Sequence, residues 1–158
     1  MLVKDVMNSK PVTCQMDETV SEAAIKMKKK KISGMPVLDG DLLVGVISES
    51  DVLQLLSQKE EGQLWLPSPL EIFEVPFRDL LKWEKLHSSV EDISKKEISE
   101  VMHRNVRTIG PDDSIEEAAS IMTHHRINRL PVVENGKLVG IVTRGDIITG
   151  LGKSNEEA

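Results

Sequence analysis

Two short segments of this chain place a hydroxyl and a carboxylate at the spacing of a helix start, each after a glycine. They are Gly45-Val-Ile-Ser48-Glu-Ser-Asp51 and Gly140-Ile-Val-Thr143-Arg-Gly-Asp146. An ionised aspartate can accept two hydrogen bonds from a vicinal diol, and the N–H groups of a helix start favour an anion such as phosphate. The same spacing is also a plain N-capping arrangement. Because the motif occurs twice, each time after a β-rich run, ligand binding is favoured over capping alone.

An internal duplication supplies the elements that position these segments. Residues 3–56 align without a gap on residues 98–151 at an offset of 95, and 16 of the 54 positions are identical. Unrelated sequences would share about three identities over this length. The chain is therefore predicted to hold two copies of one structural unit.

Each copy has the local pattern of a β-α-β-β-α unit. An extended piece comes first, and then a capping-box start and one apolar helical face predict a helix. Two β-rich runs follow, joined by a turn of residue types that tolerate positive φ, and a second helix ends the unit. The predicted extended pieces are 12–14 and 106–109, the capping boxes Thr19/Glu22 and Ser114/Glu117, the strands 35–38, 42–47, 130–133 and 138–142, and the second helices 51–57 and 146–151.

Composition and charge exclude several classes of protein. The formal net charge of −6 over 158 residues argues against nucleic acid or an anionic membrane surface as a partner, since both attract a basic excess. The single cysteine, Cys14, cannot form an internal disulfide, and neither a signal-peptide pattern nor a membrane-length apolar run is seen. A cytoplasmic location is the expectation.

The order of elements and the doubled Gly-x-x-(Ser/Thr)-x-x-Asp signature resemble the CBS domain. The resemblance covers both repeats and implies an α+β fold in which tandem βαββα repeats pack about a pseudo-twofold axis, with adenosine-type ligands in clefts between the repeats and a homodimer as the usual assembly. The predicted divisions are repeat 1 at 1–57, an ordered insert at 58–97, repeat 2 at 98–152 and a disordered tail at 153–158.

The resemblance also implies which residues line each cleft. The signature aspartate would bind the ribose hydroxyls, the Ser/Thr and nearby N–H groups would meet the phosphate, and residues of the opposite repeat would face adenine. One cleft would use Thr143, Arg144, Gly145, Asp146 and Arg129, with Thr13, Ala23, Ile32 and Ser33 facing adenine. The other would use Ser48, Ser50 and Asp51, with Thr108, Ala118, Ile127 and Asn128 facing adenine.

The two clefts are predicted to differ in charge. Arg129 and Arg144 in the second copy stand where the first copy has Gly34 and Glu49. Because a guanidinium group can donate two parallel hydrogen bonds to phosphate oxygens, the Asp146 cleft should suit AMP-like or polyphosphate ligands. The Asp51 cleft should prefer a neutral or cationic adenosyl compound, or stay empty. The alternative is that both arginines are solvated or pair with surface acids.

Two other features receive structural interpretations. The basic ends of the first helices, 28–31 and 124–126, complement the helix dipole. The adjacent histidines 124 and 125 lack partners at metal-ligand spacing, so no metal is predicted.

The insert contains all four aromatic residues of the chain. They either cover the hydrophobic edge of the two repeats or form a dimer or effector-binding surface.

A regulatory sensor is the leading functional hypothesis. It would bind AMP, ADP, ATP or S-adenosylmethionine, shift the repeats, and signal to an effector protein of unknown identity. No cofactor beyond this regulatory ligand is expected. Catalysis is disfavoured because no nucleophile–base pair or Gly-rich cofactor loop occurs in the sequence. A protein-interaction scaffold, and less so a nucleic-acid-binding protein, are the alternatives.

Overall fold

The computed structural model describes residues 1–58 and 90–154, and contacts divide the chain into two compact units. The first unit comprises residues 1–16, 35–46 and 103–154 of the described chain, and the second comprises residues 17–34, 47–58 and 90–102. Strands and helices alternate as predicted, so the α+β class with tandem βαββα repeats is confirmed.

The elements of the two copies have matching bounds. The first copy contains α1 (Val3–Val6), β1 (Cys14–Gln15), α2 (Val20–Lys30), β2 (Gly34–Asp39), β3 (Leu42–Ser48) and α3 (Glu49–Gln58). After helical residues 90–95, which we label α4, come a 3-10 turn (Ile98–Glu100), α5 (Ile115–His125), β4 (Arg129–Glu134), β5 (Lys137–Thr143) and α6 (Arg144–Ser154). Each copy therefore opens with a short helical segment, α1 or the 3-10 turn, ahead of the predicted extended piece, and the sequence analysis did not predict these segments.

Helices α2 and α5 begin and end by the same local chemistry. The Thr19 N–H donates to Glu22 Oε2 at 2.8 Å, and the Glu22 N–H donates to Thr19 Oγ1 at 3.2 Å, which is the predicted capping box. At the start of α5 one of the two bonds of the predicted Ser114/Glu117 box is found, in which Ser114 Oγ accepts the Glu117 N–H at 3.1 Å. Each helix ends at a left-handed residue, Lys31 or Arg126, with φ of 54° in both cases.

The strands of each copy form a small sheet. β1 pairs in parallel with β2, which neighbours β3, and β4 pairs antiparallel with β5. The turn between β4 and β5 has only two residues, and both Asn135 (φ 49°) and Gly136 (φ 77°) adopt the positive φ that tight hairpin turns need. Gly40 has φ 61° in the corresponding turn of the first copy. The predicted hairpins are thus present.

Each unit buries an apolar set drawn from the predicted helix and strand faces. The first unit has a contiguous core of Val3, Ile109, Ile115, Ala118, Met122, Leu130, Val132, Val142 and Ile147. In the second unit the buried apolar residues are Val20, Ala23, Met27, Ile47, Ile93, Ile98 and Met102. The 3.6-residue periodicity of the two capped helices therefore identified three buried residues in each. On the same predicted faces, Ala24 is exposed and Ala119 is half-buried.

Residues 1–8 pack on elements of the second repeat, a contact that the sequence did not predict. Asn8 and Ile141 exchange backbone hydrogen bonds at 2.9 and 3.0 Å, and the Val3 N–H donates to the Asp113 carbonyl at 2.8 Å. The Lys4 ammonium lies 2.7 Å from Asp112 Oδ1. The start of the chain is thereby tied to β5 and to the segment before α5.

Parts of the predicted insert and tail lie outside the described residues. This holds for residues 59–89, which include the four aromatics, and for 155–158. The described end of the insert contains α4, and α6 continues to Ser154, into the predicted tail. Among the described helices, none has the length and apolar character that crossing a bilayer requires.

Candidate functional site

The second signature forms the junction between β5 and α6. Thr143 ends the strand, and its N–H and Oγ1 both donate to Asp146 Oδ2, at 2.8 and 2.7 Å. The Asp146 N–H donates back to Thr143 Oγ1 at 3.2 Å. This reciprocal pattern is a capping box with aspartate in the third helical position. The N-capping interpretation of the motif is therefore correct as a description of its local structure.

Capping leaves part of the Asp146 carboxylate available. Both hydrogen bonds from Thr143 go to Oδ2, and no described residue donates to Oδ1. The residue is half-buried. A carboxylate whose orientation is fixed through one oxygen can accept a ligand hydroxyl on the other. Capping and diol binding are thus compatible at this aspartate.

The first signature has the same local bonds in a more buried setting. Ser48 donates to Asp51 Oδ2 from its N–H at 2.8 Å and from its Oγ at 3.0 Å. Asp51 is only 7% exposed, whereas Asp146 is half-buried and Ser50 is exposed. The second signature therefore presents its carboxylate more openly than the first.

Strand register brings Arg129 beside the second signature. Arg129 begins β4 and is the register partner of Thr143, as the predicted grouping of these two residues requires. Arg129 is half-buried, with its Nη1 atom enclosed. Arg144 is exposed, and its Nη1 donates to Asn128 Oδ1 at 3.1 Å. A Cβ on Gly145 would meet only Thr143 Oγ1, at 3.6 Å.

Two residues predicted to face the opposite signature contact their own. The Asn128 carbonyl accepts the Arg144 N–H at 3.1 Å, and the Ser33 carbonyl accepts the Glu49 N–H at 2.9 Å. The reason is the hairpin: antiparallel pairing places the residue before the first strand next to the residue after the second strand. Ile127 also lies on the Arg144 side, since the two line one cleft. The sequence analysis assigned Ser33 and Asn128 only to the cleft of the opposite repeat and did not include their contacts with their own signature. Their assignment to the opposite cleft stays a prediction.

The predicted adenine contacts vary in accessibility and stay predictions. Ala23 and Ala118 have no exposed surface, because helical periodicity points both into the core. Of the remaining positions, Thr13 and Ile32 are half-buried, and Thr108 is exposed.

The basic end of α5 holds a pair of histidines. The rings of His124 and His125 meet edge to face, with centroids 4.9 Å apart. Desolvation lowers the pKa of His125, and the charges of Arg107 and His124 lower it further. Within residues 1–58 and 90–154 no group of three potential metal ligands occurs.

The role of the signature glycine was missed by the sequence analysis. A Cβ on Gly140 would lie 2.7 Å from Met7 Sδ and 2.9 Å from the Asn8 carbonyl oxygen, so the N-terminal segment can pair with β5 only at a glycine. The recurrence of glycine at both signature positions, 45 and 140, was the available signal.

The architecture is that of a tandem-repeat module, and comparisons with known proteins identify its family. The CBS domain family matches residues 3–58 and again residues 98–153. Protein MJ1426 of Methanocaldococcus jannaschii, an uncharacterized protein, is 42% identical over 154 residues, covering 96% of this chain and 91% of that one. The CBS domain-containing protein YhcV of Bacillus subtilis is 30% identical, covering 99% and 89% of the two chains.

A solved structure agrees with this match. The CBS domain pair of protein MJ0100, in complex with 5′-methylthioadenosine and S-adenosyl-L-methionine, has a TM-score of 0.70 and 28% sequence identity, and the match covers 98% of each chain. The chain therefore belongs to the CBS domain family and carries two copies of the domain.

Proposed function

We propose that this chain is a non-catalytic, cytoplasmic regulatory module that binds an adenosine-containing ligand at its signature segments and signals to a partner protein. The observation that carries the proposal is the second signature, where one oxygen of Asp146 is fixed by the helix cap and the other has no donor among the described residues. A ribose diol supplies the missing donors.

The neighbouring groups fit a phosphorylated ligand. Arg129 lies in register with Thr143, and Arg144 follows it at the first position of α6. Both are permanently cationic and suit phosphate oxygens. The relative MJ0100, whose structure contains two adenosyl compounds, supports adenosine as the common part of the ligand. We therefore assign AMP, ADP or ATP to the second signature and a neutral or cationic adenosyl compound, such as S-adenosylmethionine, to the first.

Calorimetric titration with AMP, ATP and S-adenosylmethionine tests this assignment. Asp146→Asn keeps an acceptor for the helix cap and removes the charge that strengthens a hydrogen bond to the ribose. We expect it to weaken AMP binding about tenfold or more, while Asp51→Asn leaves AMP binding unchanged.

Asp112→Asn is the matched control, since it removes the same charge from an exposed carboxylate that contacts Lys4. It should bind AMP as the wild type does. If none of the three compounds binds, or if all variants bind them equally, the signatures are helix caps only. The module would then be a protein-interaction scaffold.

Homodimerisation is part of the proposal, and exposed apolar side chains on the two helices of the first repeat support it. Ile25 on α2 is 51% exposed and Leu53 on α3 is 64% exposed, although both are large apolar side chains. We assign a second copy of the chain to this face, as the usual assembly of the family implies. Burying such side chains removes apolar surface from water, which drives association.

A further inference from the structure

Two methionine sulfurs lie where residues 1–8 contact the second repeat. A Cβ added to Gly140 of β5 would lie 2.7 Å from Met7 Sδ, and one added to Gly150 of α6 would lie 3.1 Å from Met1 Sδ. Met7 also packs against the apolar core of the first unit. Its thioether thus forms an apolar contact between the start of the chain and β5.

Exposure divides the seven methionines of the chain into two groups. Met1 is 46% exposed, and Met7 and Met16 are half-buried. An oxidant dissolved in water therefore has access to these three. The other four are buried, with at most 8% of their surface exposed: Met27, Met35, Met102 and Met122. Met102 is the counterpart of Met7 at the offset of 95, so oxidation would distinguish the two copies.

The contact made by Met7 adjoins the backbone pairing of residues 1–8 with β5. Asn8, the next residue, exchanges hydrogen bonds of 2.9 and 3.0 Å with Ile141, which lies two residues before the end of β5. The Lys4–Asp112 ion pair, whose side chains are 49% and 71% exposed, adds little to this attachment. The attachment therefore depends on backbone hydrogen bonds and apolar contacts, and Met7 supplies an apolar contact directly beside the Asn8–Ile141 pair.

We propose that Met7 is a site of reversible oxidation by a peroxide, and that its sulfoxide loosens residues 1–8 from β5. In the reaction the Met7 sulfur attacks one oxygen of hydrogen peroxide, the O–O bond breaks and an S–O bond forms. The hydroxide that leaves takes up the proton of the transferred oxygen and departs as water, so the sulfur is oxidised and the peroxide is reduced. The product is a polar side chain. Its oxygen either enters the apolar contact with Gly140 or turns the side chain out of it, and both results weaken the pairing of Asn8 with Ile141.

Amide hydrogen exchange, followed by NMR before and after treatment with dilute hydrogen peroxide, tests the proposal. Peptide mass mapping should find one added oxygen on Met7 before any appears on the four buried methionines. We expect exchange of the Asn8 and Ile141 N–H groups to become about tenfold faster or more, because their pairing opens locally. Methionine sulfoxide reductase should remove the oxygen and restore the slow exchange.

Substitutions identify the sulfur that is responsible. Met7→Leu keeps an apolar side chain of similar volume but cannot be oxidised, so peroxide should leave the exchange of Asn8 and Ile141 unchanged. Met16→Leu is the matched control, since Met16 is also half-buried, and this protein should respond as the wild type does. Met1→Leu should respond as the wild type too, because Met1 lies against α6 and not β5.

Several results would overturn the proposal. Met7 could remain unoxidised while Met1 gains oxygen, exchange could stay unchanged although Met7 is oxidised, or Met7→Leu could respond to peroxide as the wild type does. If Met7→Leu does not fold, fast exchange that persists in the wild type after the reductase has removed the Met7 oxygen also overturns it. The exchange measurement needs no adenosyl ligand, so its outcome is independent of the proposed function.

Discussion

Individual residues show two kinds of constraint in the signature. The aspartate and the hydroxyl form a helix cap, and the glycine admits another part of the chain. The cap could be predicted from Ser/Thr and Asp three residues apart, because capping is a local interaction. The close approach of Met7 and Asn8 to Gly140 could not be predicted, since residues more than 130 positions apart in the chain leave no local sequence pattern.

Gly140→Ala tests the second constraint. The added Cβ would lie 2.9 Å from the Asn8 carbonyl oxygen, which is backbone and cannot move aside as a flexible side chain can. We expect the free energy of unfolding to fall by about 1 to 3 kcal/mol, as for other overpacked sites. Chemical denaturation measures this change.

Gly145→Ala is the control for that substitution. Its Cβ would meet only Thr143 Oγ1, at an ordinary 3.6 Å, and the position lies within α6. Alanine should therefore leave stability unchanged or raise it by up to about 1 kcal/mol. Equal stability of the Gly140→Ala protein and the wild type would show that β5 does not need the glycine.

Helices and hairpins were the elements that sequence reasoning predicted best. Capping boxes, apolar periodicity and turn residues gave their order and most of their bounds, because these signals act within a few residues. The grouping of site residues was less complete, since Asn128 was assigned only to the opposite repeat. Antiparallel pairing places the residue before the first strand of a hairpin next to the residue after the second strand. The predicted hairpin was therefore enough to predict the contact of Asn128 with Arg144.

The end of α2 supports a prediction at this scale. Lys31 caps the helix with φ of 54°, a conformation that costs residues with a Cβ roughly 1 kcal/mol more than glycine. Lys31→Gly should raise the free energy of unfolding by about 0.5 to 1 kcal/mol. Lys29→Gly, inside the same helix, should lower it by up to about 1 kcal/mol. Urea denaturation of both variants compares them, and a loss of stability in both would contradict the role assigned to the left-handed cap.

The whole molecule is expected to pair through the first repeat. Leu53→Glu should shift the protein from dimer to monomer in light scattering coupled to size exclusion, because it places a charge in the apolar contact. Leu42→Glu is the control, since Leu42 is 60% exposed but lies in the hairpin at the start of β3. A wild-type monomer, or equal effects of both substitutions, would show that α2 and α3 are not the interface.

Ribose recognition by Asp146 is the central functional claim, and a comparison of AMP with 2′-deoxy-AMP tests it most directly. Calorimetry should show that the wild type binds AMP about tenfold or more tightly than its deoxy analogue, since one hydrogen bond to the carboxylate is lost. In the Asp146→Asn protein this preference should fall at least about threefold, because a neutral amide oxygen is a weaker acceptor. The ratio cancels any general loss of affinity from a weakened helix cap. If the variant keeps the full preference for AMP over 2′-deoxy-AMP, or if the wild type has no such preference, Asp146 caps α6 and does not bind the ribose hydroxyls.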